Sequence, residues 1–274
     1  MELELITLVL LGFGIGLYGT IIGLGGGFIL VPFLLLLYPE YEPEEVTSIS
    51  LAVVFATATS GSIEYARQRR IDYLTGMLFA ASAAPGVVAG TLLVSVVPQR
   101  TFTLLFGVLL MGLAWLALRG RTPGIRRPLT GGGILRRTIV MPEGTYRFAY
   151  RIWQGLTISL VVGLISSTFG IGGGAIHVPA MIMMLHFPIQ FAVATSQFIL
   201  VFMSGGASAI HLANGTLSGD ALWQALSVAG GTVPGAQVGA RVAGRLKGRT
   251  ILVLLGTALA ALSVSLLVKG VLDV

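Results

Sequence analysis

Two glycine triplets are the residues best placed to do chemistry: Gly25-Gly26-Gly27 within GLYGTIIGLGGGFILVP and Gly172-Gly173-Gly174 within GLISSTFGIGGGAIHVP. Each interrupts a long apolar run, Leu5 to Leu37 in the first case and Ile152 to Leu185 in the second. Non-helical backbone inside hydrocarbon leaves amides and carbonyls unpaired at a cost of roughly several kcal/mol each, so it persists only against protein or a cavity. A helix restarting at Phe28 or Ala175 would aim free N–H groups and about half a positive charge at the break. That is anion-binding chemistry without a charged side chain, and it predicts an electropositive pocket halfway through a bilayer. Close helix packing is the competing use of a glycine triplet.

Neutral donors follow each triplet. Thr47-Ser48 and Thr195-Ser196-Gln197 open the next apolar run of each half, and their hydroxyl and amide groups suit oxyanion oxygens. Thr and Ser at such positions serve equally as helix N-caps. His177 stands three residues beyond the second triplet, where the first half has Leu30. An imidazole titrates near neutrality and could couple a proton or face a solute, or it could be a packing residue. His186 and His211 fall near run ends, where an interfacial position is expected.

The elements that must position these groups are membrane helices. Of 274 residues, 55% are apolar and only 10% charged, with mean hydropathy +0.91. A soluble domain is nearer a quarter charged, so an ordinary soluble enzyme is excluded. The net charge of +6 sits in short gaps between apolar runs, which argues against nucleic acid and for a lipid bilayer as partner. Cysteine is absent, so there is no disulfide or thiolate metal site. The acidic N-terminus, Met1-Glu2-Leu3-Glu4, does not read as a signal peptide. Further apolar runs cover Val46–Ala66, Tyr73–Val97, Thr101–Leu118, Ile189–Ala213, Ala221–Ala243 and Ile251–Val268.

The second half repeats the first. Gly16 to Pro32 aligns with Gly163 to Pro179 without a gap. One inserted residue sets Thr47-Ser48 against Thr195-Ser196; one more sets Pro85-Gly86 against Pro234-Gly235, Gly90 against Gly239 and Arg100 against Arg249. If each glycine-broken run dips in and returns, three crossings remain per half and the second half is inverted. All but two of the 17 lysines and arginines then lie on the cytoplasmic side, leaving Arg100 and Lys269 outside. The expected fold is all-α and integral to the membrane: two homologous inverted repeats, each a re-entrant hairpin plus three transmembrane helices, over residues 1–118 and 152–274. Residues 119–151 form a cytoplasmic Arg-rich connector, read as a solvated segment against anionic headgroups. A short hairpin around Pro142-Glu143-Gly144, from Thr138 to Tyr150, is possible there. Pro85 and Pro234 read as matched kinks.

Carboxylates are scarce within the runs. Glu64 reads as a local ion pair with Arg67 and Arg69, which argues against carboxylate-based sodium coupling. No phosphate-binding loop, HExxH or metal cluster is present, so no catalytic residue and no cofactor is expected.

The segments GLGGGFILVP and GIGGGAIHVP, each followed by a Thr-Ser, together with the paired Pro-Gly motifs, resemble the sulfite exporter TauE/SafE family over nearly the whole chain. The resemblance implies a carrier in the cytoplasmic membrane for small sulfur-containing anions such as sulfite or organosulfonates, working by alternating access, with export the favoured direction. It implies that Gly25 to Gly27 and Gly172 to Gly174 are the family's paired glycine segments. A passive anion channel, or a non-catalytic membrane subunit that needs a partner, are the alternatives. The topology predicts that a single cysteine replacing Glu42 reacts with an impermeant maleimide applied to intact cells, and that one replacing Thr130 does not; the opposite pattern would reverse the orientation.

Overall fold

The computed structural model describes residues 2–119, 132–141, 144–246 and 248–272. Residues 120–131 of the connector, Pro142 and Glu143 of the expected turn, and Lys247 of the basic cluster lie outside them. The first half comprises α1 (Glu2–Ile22), α2 (Gly27–Leu37), α3 (Pro43–Arg67), α4 (Tyr73–Leu93) and α5 (Gln99–Arg119). After the strands β1 (Ile134–Met141) and β2 (Gly144–Arg151) come α6 (Ile152–Thr168), α7 (Gly174–Met183), α8 (Ile189–Ala213), α9 (Gly219–Ala243) and α10 (Gly248–Leu272).

Six helices, α1, α3, α4, α5, α8 and α10, are long and apolar enough to cross a bilayer. Leu10, Leu105, Val108, Trp115 and Val264 are exposed on them. So much apolar surface meets lipid rather than water, and the chain is a helical multi-pass membrane protein. The remaining long helix, α9, carries Asp220, Gln224 and Arg241.

Local chemistry sets the helix starts. Glu42 and Glu45 close a capping box at α3, the Glu42 amide donating to Glu45 Oε2 over 3.2 Å, and Pro43 takes the first turn, where a missing N–H costs nothing. α2 and α7 each follow a glycine in the left-handed region, Gly26 at φ 92° and Gly173 at φ 101°. A side chain there would be strained, so glycine defines where both short helices begin.

Packing obeys the duplication. α1 lies along α9 and its counterpart α6 along α4; α5 packs on α10; α3 touches α8 and α9, while α8 touches α3 and α4. Backbones meet at the glycines. A Cβ at Gly231 would fall 1.9 Å from the Val9 carbonyl oxygen, and one at Gly86 2.2 Å from that of Leu160. Gly235 and Gly239 abut Phe13 and Leu17 just as Gly86 and Gly90 abut Leu160 and Leu164, so the aligned residues make the same contact in both halves. Pro85 and Pro234 lie within continuous helices, and the glycine after each serves this contact. Gly107 of α5 faces Leu267 of α10, while Gly256 faces Leu118, so these counterparts run in opposite directions.

Two departures from the sequence reading concern the elements themselves. α3 and α8 are both 25 residues long, and laid end to end they place Ser50 on Ser196 and Val54 on Leu200, not Thr47-Ser48 on Thr195-Ser196. In the connector the short hairpin considered from Thr138 to Tyr150 is present and longer, and it is seated on the helices rather than solvated throughout. β1 and β2 pair antiparallel from Ile134↔Arg151 to Met141↔Gly144, and Phe148 and Tyr150 are buried against the helices. The spacing of aromatic residues on alternate positions of β2 gives that strand a buried face, which a reading based on Pro, Gly and Arg content overlooked.

Adjacent glycines of α9 separate packing from propensity. Gly231→Ala should cost about 1–3 kcal/mol through overpacking against α1, whereas Gly230→Ala, with open space at its Cβ, should be neutral or slightly stabilising. Thermal denaturation of the two purified variants in detergent checks this; equal melting temperatures would refute the α1–α9 contact.

Candidate functional site

The two glycine breaks meet. A Cβ at Gly25 would touch Val54 of α3 and Leu200 of α8, and one at Gly172 would touch the same two residues. Val54 and Leu200 sit near the middle of their helices, so the breaks are held at mid-depth between α3 and α8. The contact is reciprocal. Gly27, the first residue of α2, has the Gly170 carbonyl oxygen 2.6 Å from its would-be Cβ; Gly174, the first residue of α7, has the Gly23 oxygen at 2.4 Å. Each short helix thus begins against a carbonyl of the other half.

The breaks therefore touch directly rather than across the expected pocket, and the glycines serve close packing. Their amides are nevertheless not consumed by it. Gly25, Gly26, Gly172 and Gly173 all have positive φ, and among the described residues no acceptor takes their N–H groups. Two serines hold the arrangement from outside: Ser50 Oγ donates to the Gly170 oxygen over 2.7 Å, and Ser196 Oγ to the Gly23 oxygen over 3.2 Å.

The other predicted residues divide. Thr47 Oγ1 and Ser48 Oγ donate to carbonyls of their own helix, Glu44 at 3.0 Å and Glu45 at 2.8 Å, and neither caps it. Thr195 Oγ1 accepts the amide of Asp72 over 3.0 Å, which fixes the entry to α4. Gln197 is the exception. It is fully buried, and neither its amide nitrogen nor its amide oxygen has a hydrogen-bond partner among the described residues. Thr20, in the last turn before the first break, likewise has an unpartnered, fully buried Oγ1. Both converge on Gly61, whose would-be Cβ lies 3.4 Å from Thr20 Oγ1 and 3.7 Å from Gln197 Cδ. An unmet buried amide and hydroxyl each cost about 1–3 kcal/mol, a penalty natural cores rarely carry without use.

His177 is fully buried on α7. Its Nε2 lies 3.1 Å from Ser159 Oγ, its ring stacks on Phe79 at 6.4 Å, and its Nδ1 has no partner among the described residues. His211, expected at the interface, is instead fully buried, with Nδ1 3.9 Å from Glu44 Oε1. The antiparallel packing of α8 on α3 brings them together from opposite helix ends. Glu64 pairs with Arg67 at 3.6 Å as expected, but its second partner is Arg241 of α9 at 3.4 Å rather than Arg69.

Sequence reasoning missed Ser50 and Thr20. Ser50 was hidden by the alignment shift; Thr20 carried a signal, being the one hydroxyl in the last turn before the first break. It also missed the tie between Asp72 and the connector. Arg137 Nη2 lies 2.6 Å from Asp72 Oδ1 and Nε 2.9 Å from Oδ2, and this charge-assisted fork raises the guanidinium's pKa further. Burial pushes the Tyr150 phenol up to about 12, partly offset by its hydrogen bond with Thr75.

A multi-pass helical protein with an uncharged polar centre between two matched halves belongs to the class of membrane transporters. The comparisons give it a family. The sequence profile of the sulfite exporter TauE/SafE family matches residues 8–266. The "Probable membrane transporter protein YunE" of Bacillus subtilis is 30% identical across 98% of this chain and 99% of its own. A "Probable membrane transporter protein" of Xylella fastidiosa is 26% identical across 68% of this chain and 64% of its own, and the "Probable membrane transporter protein MJ0441" of Methanocaldococcus jannaschii is 25% identical across 76% and 73%. No solved structure matches. The chain belongs to the TauE/SafE family of membrane transporters.

The hydrogen-bond pattern predicts opposite stability effects for two neighbouring polar groups. Ser50→Ala strands the Gly170 carbonyl and should cost about 1–3 kcal/mol, whereas Gln197→Leu removes an unmet amide and should leave stability equal or higher. Melting temperatures in detergent compare them directly; a large loss for Gln197→Leu would mean that its amide is satisfied.

Proposed function

We propose that the protein is a secondary transporter that binds a small sulfur-containing anion, such as sulfite or an organosulfonate, at the paired glycine breaks and exposes it to each face in turn. The observations that carry this reading are four glycine amides without an acceptor where the breaks meet Val54 and Leu200, and the unmet polar atoms of Gln197 and Thr20, which meet at Gly61 further along α3. Gly25 to Gly27 and Gly172 to Gly174 supply backbone donors, Gln197 and Thr20 side-chain donors, and Ser196 holds the first break in place. Thr47, Ser48 and Thr195 have their hydroxyls engaged elsewhere and are not assigned as ligands. His177, buried with an unpartnered Nδ1, is our candidate for carrying a coupled proton. The family's name supports the sulfur oxyanion and the outward direction.

The site is neutral by side chain, so peptide dipoles must stabilise the anion. Because the breaks are in contact, an anion enters only when the halves separate. It then replaces the Gly170 or Gly23 carbonyl at the head of α2 or α7. That exchange of one electronegative partner for another favours alternating access over an open pore. The opposed directions of α5 and α10 support inverted repeats. Two further relations support the return of α2 toward the side α1 left: α1 runs parallel to α9, and α9 runs parallel to α3, as seen in the bond from Ser60 to Val233 and the contact of Gln68 with Ala240. The cytoplasmic face is then the one where α3 ends and α4 begins, which also carries the connector.

Purified protein in liposomes should take up radiolabelled sulfite with saturation and should accelerate on loading unlabelled sulfite inside. Linear, unsaturable flux would identify a channel, and absence of flux would point to a subunit dependent on a partner. Gln197→Leu should weaken sulfite binding at least tenfold, in line with the loss of a buried hydrogen bond to a charged ligand of about 1.5–3 kcal/mol. Unchanged affinity in that variant would remove Gln197 from the site.

A further inference from the structure

The connector hairpin touches both halves of the membrane domain. Its pleat turns Arg136, Arg147 and Arg151 outward, where they are exposed, and carries Arg137, Phe148 and Tyr150 toward the helices. On the first half, Arg137 forks onto the fully buried carboxylate of Asp72 at the head of α4, and Tyr150 Oη lies 2.8 Å from Thr75 Oγ1 one turn along. On the second half, the Phe148 ring lies 4.4 Å from that of Phe187, between α7 and α8, and Tyr146 lies 5.2 Å from Phe191 in the first turn of α8. Tyr150 bridges the two, 5.9 Å from Phe79 of α4 and 5.2 Å from Phe187.

We infer that this hairpin is a docked cap on one mouth of the transporter, pinned by Arg137 to Asp72, and that it must release before that mouth opens. The inference rests on the alternating-access reading above. If one half rocks against the other, the separation between the head of α4 and the head of α8 changes. A two-stranded hairpin anchored to both cannot follow that change and stay seated, because packed interfaces switch between discrete arrangements rather than stretch.

The pins are of the kind that can switch. The phenylalanine contacts are apolar and directionless, whereas the Arg137–Asp72 fork is short, bidentate and buried at the carboxylate end. Arg137 itself remains 28% exposed, so water can take over its donors when the fork opens. The same residue leads toward the proposed site through its backbone. The Asp72 amide donates to Thr195 Oγ1, and the next two residues of α8 are Ser196, which holds the first glycine break, and Gln197. A second route runs from Tyr150 through Phe79 to the ring of His177. Release of the cap therefore alters the packing behind both groups.

The native chain has no cysteine, so a single Thr75→Cys reports docking. Thr75 is fully buried beneath the hairpin, and in detergent both faces of the protein are open to reagent. An impermeant maleimide should label it slowly, and adding Arg137→Ala should raise the labelling rate at least tenfold. Arg136→Ala, with the same loss of charge on the outer face, should leave the rate unchanged. Equal rates in the two backgrounds would overturn the pin. If Thr75→Cys perturbs folding, hydrogen exchange of residues 144–151 in Arg137→Ala against Arg136→Ala gives the same readout, with the same tenfold expectation and the same refuting result. In liposomes, Arg137→Ala should change the sulfite counterflow rate at least threefold. Faster labelling with unaltered counterflow would make the hairpin a passive strut and overturn the gating role. If the unmodified protein carries no sulfite, the transport reading fails, while labelling still decides whether Arg137 seats the hairpin.

Discussion

The reciprocal contact of two interrupted helices governs the rest of this molecule. Each short helix, α2 and α7, begins at a glycine that lies against a carbonyl of the opposite break. The helix N-terminus is thereby faced by the negative end of a peptide dipole from the other half, and the two interruptions hold each other in place. A break facing hydrocarbon would leave its carbonyls unpaired as well as its amides, whereas here each break is enclosed by the other half. Ser50 and Ser196 complete the arrangement by satisfying the two carbonyls from α3 and α8. Each copy thus supplies the hydroxyl whose hydrogen bond the carbonyl of the other copy's break accepts.

From that centre outward the structure becomes less symmetric. Gln197 has no polar counterpart at Leu51, nor His177 at Leu30, and His211 of α8 stands where α3 has Tyr65, whose hydroxyl instead reaches the Thr20 carbonyl over 2.8 Å. In the proposed site the shared backbone geometry would provide weak, uncharged anion attraction from both sides. On the same proposal the unshared side chains would set what binds and what accompanies it. A site of this kind suits a carrier, in which the solute must leave as readily as it enters, better than a tight binding protein.

Much of this was legible from residue order. The broken runs, the duplicated glycine and proline motifs and the absence of charge gave the membrane class, the helix boundaries and the family resemblance, because each follows from local composition. The register of α8 on α3 was not legible. α2 has 11 residues and α7 only 10, which shifts the offset between the halves by one, and a chance Thr-Ser match drew the alignment to Thr47-Ser48 when the folded helices set Ser50 against Ser196. Nor was the seat of the hairpin, since the bond from Arg137 to Asp72 joins residues far apart in sequence and depends on how α4 meets the connector. Gln197 was named with its neighbours, but only the inventory of bonds separated it from Thr47, Ser48 and Thr195, whose hydroxyls are already engaged.

The central claim is that the paired breaks, with no charged side chain, hold a small oxyanion at mid-depth. Selenite is a heavier analogue of sulfite with a usable anomalous signal, so diffraction from crystals grown with it locates the anion directly. One peak between α3 and α8, within hydrogen-bonding reach of the Gln197 amide and of a glycine amide from Gly25, Gly26, Gly172 or Gly173, is the predicted result. Peaks confined to the arginine-rich surface at saturating selenite, with the two breaks still pressed together, would contradict it.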